Sequence, residues 1–473
     1  KRPRRDRPPG EGRAAVKILV CGAGRVGGQI ARRLSEDGSD VTVIDQDPGL
    51  VRRVTDAYDV GGVAGHASHP DVLERAGAAD ADMLIAATHL DEVNMMACQV
   101  AHSVFSVPRK IARVRAQSYL EPRWSDLFRR DHMPIDVIIS PETEVARVAI
   151  ARLGTTAAFE THGFLEGRAQ LVGVSLDEDC PVLHTPLKQL TELFSTLTAI
   201  VVAIRREGKL IVPEPDDQLY AGDDIYFLAA ERDVGRAMGI FGRESRPAKR
   251  VVVIGAGNVG LSVVKLLESD PSGVRAKLLE ADRGRAEAAA DALTRTVVLH
   301  GDALDPSLLE EAGIADADAV LALTNDDKAN LLSCALSKQA GCQLAVALTN
   351  DAVFSRLSPA LGVDAYINPR ATTVSTILRH VRRGRIRAVY SIGEGEGEAI
   401  EAQVLATSPI AGKRLRDAGF PAGSIVGAVL GRDGVQRPRG DLLIGEGDVL
   451  VVFALRDAVA KVEQLFRVSV DFF

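Results

Sequence analysis

The sequence predicts an α/β protein with two tandem doubly wound parallel-sheet domains, each followed by a small α+β domain. Three observations carry this. The chain has 473 residues, too many for one core, which suggests two to four domains at roughly 100–200 residues each. It also repeats itself. Gly22-Ala23-Gly24-Arg25-Val26-Gly27 recurs as Gly255-Ala256-Gly257-Asn258-Val259-Gly260, an offset of 233 from 22 to 255. The run from Asp80 to Thr88 recurs from Asp316 to Thr324, with Asn94 matching Asn330, both at an offset of 236. Ala221-Gly222-Asp223 recurs as Glu446-Gly447-Asp448. So many matches in register indicate duplication, and the period far exceeds that of solenoid repeats. Finally, short apolar runs alternate with helical patterns in the first part of each copy, the order that builds a parallel sheet.

In the first copy the strands read Val16–Cys21, Asp40–Asp45, Val60–Gly65, Met83–Thr88, Lys110–Arg115 and Asp136–Ser140, with a helix over Glu92–Phe105. Helices follow at Pro141–Leu153 and, in the second copy, Pro369–Arg383, each opened by a proline suited to the first helical turn. The second part of the first copy reads as strands at Leu171–Leu176, Thr198–Arg206, Leu210–Val212 and Asp224–Leu228 around a helical stretch at Leu187–Phe194. The resulting division is a basic extension (1–15), a sheet domain with its closing helix (16–153), an α+β domain (154–243), a second sheet domain with its helix (249–384) and a second α+β domain (385–473).

Composition narrows the function classes. Hydrophobic residues make up 46% and charged residues 26%, as in a globular protein, and the formal charge of -7 argues against broad nucleic-acid binding. No apolar run approaches the roughly 18 residues of a membrane helix, and no apolar stretch of signal length follows the basic N-terminus. Five dispersed cysteines form no C-x-x-C pair and read as buried thiols in a reducing cytosol.

The glycine loops carry the chemistry. A lone G-x-G-x-x-G is weak, but each loop here follows an apolar strand, opens a helix and precedes a second strand ending in an acid, Asp45 or Glu280. That context fits a dinucleotide fingerprint of the Rossmann type. Gly22 permits the turn, Gly24 lets backbone approach a pyrophosphate, and Gly27 lets helix and sheet pack closely. Amides at the helix start receive negative charge. Asp45 can accept hydrogen bonds from both ribose hydroxyls and would repel a 2′-phosphate. Thr88 and Thr324 stand at the ends of their fourth strands, where ligands of open α/β sheets sit. Arg113 ends the fifth strand and could clamp phosphate; by offset, Ala347 matches it in the second copy. His66 and His69 form H-x-x-H, matched by Asp302 and Asp305. A metal pair there lacks a third ligand by spacing, so the reading is a loop over the ligand edge, with Gly65 before it.

Together, Gly65-His-Ala-Ser-His-Pro, the stretch around Asp82, the run from Asn94 to Ala101, and Ala322 to Asn330 resemble the RCK, or KTN, family that regulates potassium channels and transporters. The resemblance spans roughly Val16 to Phe473 in the tandem arrangement of the peripheral subunits of bacterial Trk potassium-uptake systems. It implies that Gly22 to Val26, Asp45, Thr88, His89 and Arg113 line a first nucleotide site, and that Gly255 to Val259 and Glu280 line a second. It further implies NAD(H), with ATP and ADP as further ligands. The expected setting is a homo-oligomer in the cytoplasm, peripheral on the inner face of the plasma membrane, assembled on an integral potassium-translocating subunit. The extension over residues 1–15 departs from the family. Two other functions compete. A dehydrogenase would need an acid or base set against substrate, and no Tyr-x-x-x-Lys pair is present. A pure scaffold would carry both clefts without using them.

Overall fold

The computed structural model describes residues 16–466, except 37, 155–156, 244–246, 272, 352, 355–358, 382–385 and 393–394. The basic extension expected over residues 1–15 lies outside the described residues. The first sheet holds β1 (Lys17–Cys21), β2 (Asp40–Asp45), β3 (Gly61–Ala64), β4 (Met83–Ala86), β5 (Arg109–Arg113) and β6 (Val137–Ile139). All pair in parallel, in the order β3-β2-β1-β4-β5-β6. The order reverses between β1 and β4, the switch point at which open α/β sheets form a crevice. β4 is buried along its whole length, because helices cover both faces of a parallel sheet.

A five-stranded antiparallel sheet follows: β7 (Glu160–Phe164), β8 (Ala169–Ser175), β9 (Ala199–Arg206), β10 (Lys209–Ile211) and β11 (Asp224–Ala230), in the order β10-β9-β11-β8-β7. The sequence reading lacked β7. It is a terminal strand of mixed polarity, Glu-Thr-His-Gly-Phe, with no apolar run to announce it. The second copy repeats both layers. Its parallel sheet contains β12 (Arg250–Ile254), β13 (Arg275–Glu280), β14 (Val297–His300), β15 (Ala319–Ala322), β16 (Leu344–Leu348) and β17 (Ala365–Ile367), in the order β14-β13-β12-β15-β16-β17. Its antiparallel sheet contains β18 (Ile386–Ile392), β19 (Gly397–Gln403), β20 (Ser424–Gly431), β21 (Gly434–Gln436) and β22 (Val449–Leu455).

The two antiparallel sheets share one core. Phe164, Leu171, Val202 and Leu228 pack with Ile392, Ala399, Val451 and Phe453. Close approach requires Gly427, where a Cβ would lie 2.3 Å from Leu228 Cδ1. Polar bonds join the halves at the edges of this core: Leu165 N donates to Glu401 Oε2 at 2.7 Å, and Tyr390 Oη donates to Glu160 Oε1 at 2.5 Å.

Spatial grouping does not follow chain order. One compact unit combines the chain up to Pro141 with Arg370–His380; the other combines Glu142–Pro369 with the chain from Val381 onward. The helix Pro141–Leu153 follows the first sheet in sequence, yet Val145, Ala146, Ala149 and Leu153 pack with Val251, Val253, Val263 and Leu321 of the second. The apolar periodicity of this helix announces a buried face without saying which sheet buries it.

Each parallel sheet is tied at the crevice by a buried asparagine. Asn94 Oδ1 accepts from Thr88 N at 2.8 Å and Thr88 Oγ1 at 2.7 Å, and its Nδ2 donates to Arg113 O at 2.9 Å. Asn330 does the same with Thr324 N, Thr324 Oγ1 and Leu348 O. One side chain thus joins the exits of two neighbouring strands to the next helix. Asn330→Ala should destabilise the second unit by about 2–3 kcal/mol, since it strands buried backbone groups as well as deleting bonds. Urea unfolding of the full chain checks this, and a loss below about 0.5 kcal/mol would show that the tie is dispensable.

Candidate functional site

The first crevice is a cleft of about 380 Å³, built wholly from the first parallel-sheet unit. Its floor is the glycine loop between β1 and the helix Arg25–Glu36. Gly22 adopts φ +103°, which favours glycine, and a methyl at Gly27 would come within 1.8 Å of the Gly22 carbonyl oxygen. Helix and loop can lie this close only without a side chain there. Gly24 differs: a Cβ there would meet nothing within 4 Å, so its backbone is open to the cleft.

Asp45 closes one side. Its Oδ2 accepts from Ala23 N at 2.7 Å and its Oδ1 from Asp47 N at 3.0 Å. The carboxylate therefore holds the loop and still presents lone pairs to a donor in the cleft. Arg25 and Arg113 bring positive charge, and Ile44, Leu50, Ala67, Leu90 and Val93 add apolar lining. Arg113 Nη1 donates to Thr88 O at 3.3 Å.

The expected residues divide into two groups. Gly22, Gly24, Arg25, Val26, Asp45, His66, Thr88, His89 and Arg113 line the cleft. Ala23, Gly27 and Gly65 support it from behind, with Ala23 buried and a Cβ on Gly65 lying 2.7 Å from Val72. Thr88 lies two residues beyond β4, which ends at Ala86, because its amide and hydroxyl turn away to Asn94. His66 and His69 stack with centroids 4.8 Å apart, and His66 Nδ1 lies 2.9 Å from Ser68 Oγ. Among the described residues, no group of three or more His, Cys, Asp or Glu converges as metal ligands.

The TrkA-N domain model matches residues 18–141 and 251–369, and the TrkA-C domain model matches residues 171–242 and 399–467. The Trk system potassium uptake protein TrkA of Azorhizobium caulinodans is 51% identical over 458 residues, covering 97% of this chain and 100% of that protein. The chain belongs to the TrkA family. The TrkA of Halomonas elongata is 38% identical over 462 residues, with 97% of this chain and 100% of that one covered. Among solved structures, the GsuK RCK domain aligns with a TM-score of 0.57 at 17% identity, covering 96% of this chain and 95% of that one. The GsuK channel bound to NAD aligns with a TM-score of 0.58 at 17% identity, covering 96% and 79%. At such identity these two show the shared fold.

The second copy of this TrkA-family chain keeps the same skeleton. Gly255 has φ +100°, Gly260 lies beneath it as Gly27 lies beneath Gly22, and Gly257 is as open as Gly24. Asn258 opens the helix Asn258–Ser269, and Val259 packs against the core. Glu280 Oε2 accepts from Ala256 N at 2.7 Å. Thr324 meets Asn330 as Thr88 meets Asn94, and Asp302 takes the place of His66. One expectation is corrected. Asn94 bonds the carbonyl of Arg113, while Asn330 bonds that of Leu348, so Leu348 and not Ala347 occupies the Arg113 position. Counting by offset missed the one-residue difference that strand register reveals: Ala86 pairs with Ala112, and Ala322 with Ala347.

Two features escaped the sequence reading. The asparagine ties were visible only as a repeat match. Arg285, which stands where the first copy has Leu50, places Nη2 2.7 Å from Glu280 Oε1. Burial pushes the Glu280 carboxyl up, but the Arg285 guanidinium and the amides of Asp282 and Ala256 outweigh it and hold it below its ordinary 4.5. A lowered folded-state value adds stability above the ordinary value, and that contribution disappears as pH falls through the folded value. Urea midpoints of wild type and Glu280→Gln should therefore differ most at neutral pH and draw together as pH falls below 4.5. A gap that stays constant over that range would contradict the pairing.

Proposed function

We propose that the chain is a nucleotide-sensing regulatory subunit of a potassium-uptake transporter, with NAD(H) bound in the first cleft. The carrying observation is that cleft: an open Gly24 backbone at a helix start, a carboxylate on the ribose side, and Arg25 and Arg113 at its edge. The residues fit the group. The helix start and the two guanidinium groups suit a pyrophosphate, and Asp45 suits a ribose diol. ATP and ADP share the adenosine and phosphate features and are further ligands. A solved structure of the same fold is described as bound to NAD, and relatives across the whole chain are named as potassium-uptake proteins.

These relatives also support a setting for the chain. No helix among the described residues is long and apolar enough to cross a membrane. The proposal assigns ion translocation to an integral Trk-type subunit, with this chain as a cytoplasmic homo-oligomer on the inner face of the plasma membrane. Nucleotide alters that assembly only through a difference in affinity between two arrangements, typically about 1–3 kcal/mol. The nucleotide is bound and not turned over, so the chain acts as a regulator and not an oxidoreductase.

Calorimetry should show preference for NAD(H) over NADP(H), since like charges about 4 Å apart at a dielectric near 20 repel by roughly 4 kcal/mol. Equal affinities would sink the role given to Asp45. Gly24→Asp should fold, because its side chain has room, and should lose binding at the first cleft. In proteoliposomes containing the transporter, NADH should change potassium flux with wild type and not with the variant. Identical responses, or hydride transfer to carbonyl acceptors by wild type that Gly24→Asp abolishes, would overturn the proposal.

A further inference from the structure

The two clefts share a backbone and differ in charge. Around the first, Arg25 and Arg113 offset Asp45 and Asp47. Backbone roles fix the equivalent positions in the second. Asn258 opens its helix as Arg25 does, and Arg285 is the third residue of the helix Arg283–Ala292, as Leu50 is of the helix Pro48–Ala57. Asp302 follows Gly301, whose amide bonds the Glu280 carbonyl, as His66 follows Gly65 bonded to Asp45. Asp326 is the helix cap where Leu90 stands in the first copy. With Leu348 in place of Arg113, both cations of the first cleft are gone. The positions equivalent to the first cleft's charged lining then hold four carboxylates, on Glu280, Asp282, Asp302 and Asp326, and one guanidinium, on Arg285, a balance of three negative charges where Arg25 and Arg113 offset Asp45 and Asp47 in the first.

That guanidinium is already engaged. Glu280 Oε1 accepts from Arg285 Nη2 at 2.7 Å and from Asp282 N at 2.9 Å, while Oε2 holds the loop at Ala256 N. A carboxylate oxygen offers two lone-pair sites, so Oε1 is filled. The equivalent Asp45 Oδ1 accepts from Asp47 N, and no basic side chain bonds it among the described residues. In the second cleft a ribose hydroxyl must displace Arg285, and a pyrophosphate must enter a field of like charge.

We propose that the second glycine-loop cleft excludes the free anionic dinucleotide that the first accepts, because Arg285 clasps the carboxylate on its ribose side, Asn258 and Leu348 replace its two cations, and Asp302 and Asp326 add carboxylates. Arg285 is thus a specificity-determining residue, and dinucleotide binding is confined to one cleft per chain. This rests on the reading that the first cleft binds NAD(H).

The test titrates NADH into the full chain by calorimetry. Gly24→Asp should leave no binding. Adding Asn258→Arg, Arg285→Leu, Asp302→His and Asp326→Leu to it should create one NADH site per chain, because all four positions are exposed and acquire first-cleft residues. Thermal melting confirms folding. Conversely, Leu50→Arg in the otherwise native chain should weaken NADH at least about tenfold, the scale of a lost charge-assisted hydrogen bond. The inference is wrong if Gly24→Asp still binds one NADH that Gly257→Asp then removes. It is also wrong if the substituted, folded second cleft gains no binding, or if Leu50→Arg leaves affinity unchanged. A native chain that binds no NADH would sink the reading of the first cleft, while gain or no gain in the second would still decide this one.

Discussion

A single kind of hydrogen bond organises both clefts: a carboxylate at the end of the second strand accepts the amide of the alanine inside the glycine loop. Asp45 does this for Ala23 and Glu280 for Ala256, each at 2.7 Å. A buried loop amide needs a partner, and a side chain from the neighbouring strand supplies it. The loop is held against the sheet, Gly22 takes its positive φ, and Gly27 can slide under its carbonyl. The bond that fixes the backbone also sets a negative charge beside the cleft. Loop geometry and electrostatic character therefore cannot vary independently at this position.

What the duplication has kept and what it has changed follow from that constraint. Residues that hold backbone are repeated: the two carboxylates, the two buried asparagines, and the paired glycines. Residues that do not tie the loop or the strand exits have diverged, such as Leu50 against Arg285 and His66 against Asp302. The skeleton persists because each tie satisfies several buried groups at once, whereas an exposed side chain can change sign without disturbing the sheet.

The legible parts of the sequence were those with short-range signatures. Alternating apolar runs gave both parallel sheets, and Asp45 and Glu280 were marked by their place after the glycine loop. Asn94 was visible as a repeat match, but its role was not, because its partners lie at the ends of two strands, on Thr88 and Arg113. Arg285 was hidden for a similar reason: it sits on a helix and reaches back to Glu280. Offsets along the chain do not contain strand register, and so they point to Ala347 for the position that Leu348 holds. The mixed polarity of β7 concealed an edge strand.

The exchange of helices bears on how the chain is made. Residues 370–380 belong to the compact unit that otherwise ends at Pro141. During synthesis, more than two hundred residues separate the bulk of that unit from its last piece. The helix Pro141–Leu153, in turn, emerges before β12 to β17, the strands of the sheet that buries it. The first unit cannot be completed from its own end of the message. It must wait for residues 370–380, and a cut at the midpoint of the duplication would not release two intact halves.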